Sequence, residues 1–75
     1  MLKISHHAIE RYAQTVMQFD EISSQTLSHQ QYAMIRKMLQ ERFGHLDYQK
    51  AVIRYDDWDV RLVIVDSVLV TITKY

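Results

Sequence analysis

The sequence predicts an α+β domain of order β-α-α-β-β-β, with two helices packed on one face of a small antiparallel sheet. Three observations carry this. Apolar residues recur at helical spacing over 9–16 and again over 32–43. The period changes from 3.6 to 2 after Gly44, and β-branched residues become frequent beyond it. A chain of 75 residues buries only roughly 60% of its unfolded surface, so residues 1–75 form one domain with one core.

In chain order, Leu2 and Ile4 alternate as in a short strand over 1–4, and Ser5 ends it by capping the next element. Ile9, Tyr12, Ala13 and Val16 then fall at i, i+3, i+4 and i+7, the stripe of an amphipathic helix over 6–17. Residues 18–28 have no clean period and read as a connection. Ser28 and Gln31 make a capping box for a helix over 29–43. Its stripe is Tyr32, Ile35, Leu39 and Phe43, widened by Met34 and Met38, and Gly44 is expected as a left-handed C-terminal cap. Three strands come next at 50–55, 60–65 and 69–74, in a meander joined by Asp56-Asp57-Trp58-Asp59 and by a turn around Asp66-Ser67.

A three-residue second turn puts Ala51, Ile53, Tyr55, Val60, Leu62, Ile64, Val70 and Ile72 on the core face. The other face collects Lys50, Arg54, Arg61, Thr71, Thr73 and Tyr75 with Val52, Val63 and Val65. Such a surface could hold a phosphodiester backbone, and it could equally be a solvated face with chance basic residues. A two-residue turn would shift the last strand by one register and break the cluster. The expected core is Ile9, Val16, Ile35, Leu39, Phe43, Ile53, Leu62, Ile64, Val70 and Ile72.

Composition removes several function classes. With no cysteine there are no disulfides, thiolate chemistry or cysteine metal sites, which fits a cytoplasmic setting. Proline is absent and Gly44 is the only glycine, which rules out glycine-rich phosphate loops and dinucleotide fingerprints; no cofactor is expected. The N-terminus shows no basic region followed by an apolar run, and the longest apolar stretch, 62–65, is too short to cross a bilayer. A formal net charge of zero argues against a large, uniformly basic nucleic-acid footprint, so any RNA contact must be local.

Three clusters of chemically capable residues stand out. His6, His7, His29 and His45 match no metal-ligand spacing, and no metal site is expected. The acidic turn 56–59 lacks the glycine and the distal glutamate of a calcium loop and reads as a hairpin turn. The third is Ser5-x-His7-Ala8-x-x-Arg11, to which Val70-Thr71-Ile72 in the last strand is joined. His7 and Arg11 lie four apart on one helix face. A titratable imidazole beside a permanent guanidinium can serve as an acid/base and phosphate-binding pair, or can be two polar residues on a solvated face.

Ser-x-His-Ala-x-x-Arg at the start of the first helix, a second helix, and an antiparallel sheet ending in Val-Thr-Ile resemble the RelE/barnase-like small endoribonucleases and toxins. The resemblance implies metal-independent cleavage of RNA by attack of the ribose 2′-hydroxyl on its own phosphate. It implies His7 as general acid or base, Arg11 on the phosphorane charge and Thr71 positioning the phosphate; the RNA-binding surface expected from strand alternation is Arg54, Arg61, Thr73 and Tyr75. Relatives often carry a further Arg where Thr15 stands, and many are strongly basic, whereas this chain is neutral.

Two functions fit these residues. One is a small endoribonuclease of toxin or phage type, with RNA or the ribosome as partner. The other is a non-catalytic phage or plasmid module that binds a host protein or antitoxin. They differ in whether His7, Arg11 and a group from the last strands converge on one phosphate. A homodimer is also expected, because a monomer leaves Val52, Val63, Val65 and Leu69 as an exposed patch.

Overall fold

The computed structural model describes residues 1–17 and 27–75. The predicted connection over 18–28 lies outside the described residues except for Leu27 and Ser28. The element order is β1 (Lys3–Ile4), α1 (His6–Thr15), α2 (His29–Phe43), β2 (Lys50–Tyr55), a 3₁₀ turn (Asp56–Trp58), β3 (Val60–Val65) and β4 (Val68–Lys74). This is the predicted β-α-α-β-β-β order.

Both helices start where their side chains satisfy the first free amides. The Ala8 N–H donates to Ser5 Oγ at 3.0 Å. In the capping box the Gln31 N–H donates to Ser28 Oγ, and the Ser28 N–H to Gln31 Oε1, each at 3.0 Å. From α1 come buried Ala8, Ile9 and Ala13, and from α2 Ile35, Leu39 and Phe43. They close over Val60, Leu62, Ile64, Leu69 and Ile72 of the sheet, and Leu2, Ile4 and Leu27 complete one core. Met34 does not widen the buried stripe: it is 68% exposed, and only Met38 packs against the core.

Gly44 corrects the predicted cap. Its φ is −59°, right-handed, so conformational freedom is not why glycine stands there. A Cβ at Gly44 would lie 2.3 Å from the Gln40 carbonyl oxygen and 2.4 Å from Gln40 Nε2. That close approach matters because Gln40 Nε2 donates to the Leu2 carbonyl at 2.7 Å, and the Leu2 N–H donates to the Gly44 carbonyl at 3.0 Å. The helix end and the first strand are therefore tied at a point with no room for a side chain.

The sheet runs β1-β4-β3-β2 and is mixed rather than wholly antiparallel. The meander is antiparallel as expected, but β1 lies parallel to β4, with Lys3 opposite Val68 and Ile4 opposite Leu69. Alternation alone shows that 1–4 is a strand; its direction depends on where the helices return the chain.

The last hairpin differs from expectation in two ways that cancel. The turn has two residues, Asp66 and Ser67, both left-handed with φ of 53° and 60°, so Val65 pairs with Val68. A register shift beside Val63 and Ile64 then sets Ile64 opposite Leu69 but Val63 opposite Thr71, leaving Val70 as the extra residue of a bulge. Leu69, expected on the exposed face, is consequently fully buried, whereas Val70, expected in the core, is half-buried. Beyond the bulge, Thr73 stands opposite Arg61, and the predicted open-face cluster is preserved.

Candidate functional site

The candidate residues fall into two groups on either side of one structural boundary, the outer edge of β4. β1 covers that edge only at Val68 and Leu69, and α1 lies along its continuation from Val70 to Ile72. The Ser5 N–H donates to the Leu69 carbonyl at 3.1 Å, the Ser5 hydroxyl to the Val70 carbonyl at 2.9 Å, and Arg11 Nε to the Ile72 carbonyl at 3.3 Å. The Ser5 cap and Arg11 of the helix thus occupy carbonyls that would otherwise invite another strand. Arg11 also donates from Nη1 to Gln14 Oε1 at 2.9 Å.

Of the proposed acid/base group, Arg11 is therefore half-buried and bonded to the strand that carries Thr71. Thr71 pairs with Val63, and its side chain belongs to the sheet face rather than the edge. His7 is exposed and makes no side-chain hydrogen bond or ion pair among the described residues. The structure brings Arg11 to the backbone next to Thr71, and it does not join His7, Arg11 and Thr71 by hydrogen bonds. The neighbouring His6 is the engaged histidine. Its Nδ1 is hydrogen-bonded to Tyr32 Oη at 2.9 Å, and its Nε2 lies 2.9 Å from Glu10 Oε1, so it links α1 to α2.

The second group is assembled on the open face. Arg54 stands directly opposite Arg61, and Arg61 opposite Thr73. Like charges at facing positions of a sheet repel, so this row needs compensation. Two sources are present. Arg54 Nε lies 2.8 Å from Asp56 Oδ1, and its Nη2 lies 3.6 Å from Asp59 Oδ1. Both guanidinium carbons also lie over the Tyr75 ring, Arg54 at 3.9 Å and Arg61 at 4.4 Å from its centroid.

Tyr75 is held there by its backbone, whose N–H donates to the Asp59 carbonyl at 3.0 Å. Asp59 is itself left-handed, with φ of 54°. The two arginines are not equivalent: Arg54 has two carboxylates beside it, whereas Arg61 has none within ion-pair distance among the described residues. Around them Val52 is 65% and Val65 37% exposed, and Thr71 and Thr73 are partly exposed. The face offers guanidinium donors, hydroxyls and aromatic surface within one patch.

The acidic turn 56–59 does more than reverse the chain. Besides supplying Arg54's carboxylates, it sets Trp58 against Tyr12, Phe43 and Tyr55 with ring centroids 5.0, 5.5 and 4.9 Å away. Arg42 lies over Trp58 at 5.2 Å and donates to Tyr55 Oη. Neither role was legible from composition, although a tryptophan inside an acidic turn is a cue for anchoring. Among the described residues no group of His, Asp or Glu side chains could hold a metal ion. None of their helices is long and apolar enough to cross a membrane. No protein-family model, curated protein or solved structure matches the chain.

Proposed function

We infer that this protein acts on single-stranded RNA through the open face of its sheet. The observation that carries the reading is the Arg54–Tyr75–Arg61 stack with Thr73 beside it. Guanidiniums can grip phosphate at two points, hydroxyls can donate to it, and exposed guanidinium or aromatic planes can stack an unpaired base. Such a patch suits single strands better than duplex RNA because stacking needs bases that have left a helix. Arg61, with no carboxylate within ion-pair distance among the described residues, is the principal phosphate ligand, and Arg54 is a positioned neighbour.

Metal-independent cleavage of that RNA is the further step that the resemblance of Ser5-x-His7-Ala8-x-x-Arg11 implies. His7 would take the 2′-hydroxyl proton, and Arg11 and Thr71 would meet the phosphate. Arg11's bond to the Ile72 carbonyl supports the step by holding the guanidinium next to Thr71. A host-protein module is the alternative if RNA is not bound.

The test is a polarisation titration of labelled single-stranded RNA in EDTA, with a duplex as control. Expected is preferential binding of the single strand that weakens with salt, log K falling by roughly 0.7 per decade of salt for each phosphate contacted. Arg61→Ala and Tyr75→Ala should each weaken it about tenfold, in line with the loss of one stacked or charge-assisted contact. Equal binding by wild type and both variants would remove the open face from the reading.

A further inference from the structure

β2 is an edge strand of the sheet, with no second strand beside it among the described residues, and the direction of its backbone groups is set by the pairings across the sheet. The Val70 and Ile72 carbonyls point out of β4 toward α1, so Thr71 and Thr73 direct their backbone groups into β3. Arg61, opposite Thr73, faces β4 in turn, and Val60 and Leu62 face β2, where they meet Tyr55 and Ile53. The alternation therefore turns the N–H and C=O of Val52 and Arg54 outward. No hydrogen bond among the described residues reaches them from that side.

Edges of this kind are usually blunted by charge, but here the charge is arranged to match itself. β2 begins with Lys50 and runs into Asp56 and Asp57, so it is positive at one end and negative at the other. Arg54, in between, is already matched by Asp56 and Asp59. An antiparallel second copy with Ile53 opposite Ile53 sets Val52 opposite Arg54, both outward, and brings Lys50 to the end of the partner's β2, where the 3₁₀ turn carries Asp56 and Asp57. The register centred on Val52 would instead oppose Lys50 and Arg54, two like charges. Beside the edge, on the core side, lies a groove of about 210 Å³ whose lining includes Phe43, Leu46, Ile53 and Tyr55 together with Arg42 and His45. It would be covered where the two Ile53 side chains meet.

We propose that two copies of this chain join through antiparallel pairing of their β2 edges, forming one eight-stranded sheet. The twofold axis stands normal to the sheet, so both Arg54–Tyr75–Arg61 patches lie on the same side and stay uncovered. The pairing does not depend on what that face binds.

Light scattering of the full chain from micromolar to near-millimolar concentration tests it. The mass should rise from 9.0 kDa toward twice that value. Val52→Pro removes an outward donor without removing a bond to β3, and should hold the mass at the monomer value with an unchanged circular dichroism spectrum. Lys50→Glu should also favour the monomer, and adding Asp56→Lys to it should restore the dimer. Independently of any variant, hydrogen exchange at the Val52 and Arg54 amides should slow as concentration rises, while that at Ile53 should not change. A mass that stays at 9.0 kDa, a dimer that survives Val52→Pro, or exchange at Val52 and Arg54 that ignores concentration overturns the proposal.

Discussion

Arg11 and Arg61 carry the same guanidinium in two settings, and the settings decide what each can do. At the edge of β4, Arg11 is half-buried and directs Nε to a backbone carbonyl of the sheet. On the open face, Arg61 leans over the Tyr75 ring, which takes no hydrogen bond from its rim of donors. The first arginine is committed to closing a strand edge, and the second is held in place while its donors stay available. A cation stacked on an aromatic ring is positioned without being neutralised, whereas one bonded to the backbone has part of its donor set already in use.

The sharpest way to break this comparison is His7→Ala. If the edge group cleaves RNA, loss of its acid/base should lower the rate by about 10² to 10⁴ in EDTA, with 2′,3′-cyclic phosphate ends in the wild-type products. If wild type and variant decay RNA alike, at the level of buffer and with ribosomes supplied, the edge is purely structural. Next in size is the core beneath both regions. Leu39 and Leu62 are 0% and 1% exposed, so truncating either to Ala should cost roughly 2 to 5 kcal/mol in chemical denaturation.

Ser5→Ala should cost about 1 to 2 kcal/mol, since one hydroxyl both caps α1 and satisfies the Val70 carbonyl. RNA affinity should change much less than stability; a reversal of that order would place Ser5 in the site instead. The smallest effect separates the two open-face arginines. Arg61→Ala should weaken RNA binding about tenfold and Arg54→Ala about threefold, because Asp56 and Asp59 already engage the Arg54 guanidinium and leave it less to offer a phosphate. Equal losses would mean that Asp56 and Asp59 do not attenuate Arg54.

Local chemistry made the helix starts legible in the residues alone. Ser5 and the Ser28–Gln31 box act over three residues, and amphipathic stripes arise from one helix at a time. The composition of the open face was legible for the same reason, since alternation along β2 and β3 assigns Arg54 and Arg61 to one side. Tertiary structure decided whatever depends on a second element. It set the parallel placement of β1, the tight contact that requires Gly44, and the bulge at Val70 that buries Leu69 and restores Thr71 and Thr73 to the open face. It also decided which arginine is engaged, because nothing in the spacing of Arg11, Arg54 and Arg61 says that one meets a carbonyl 61 residues away, another two aspartates, and the third the Tyr75 ring. Periodicity reports which way a side chain points; what it meets there is a property of the packed chain.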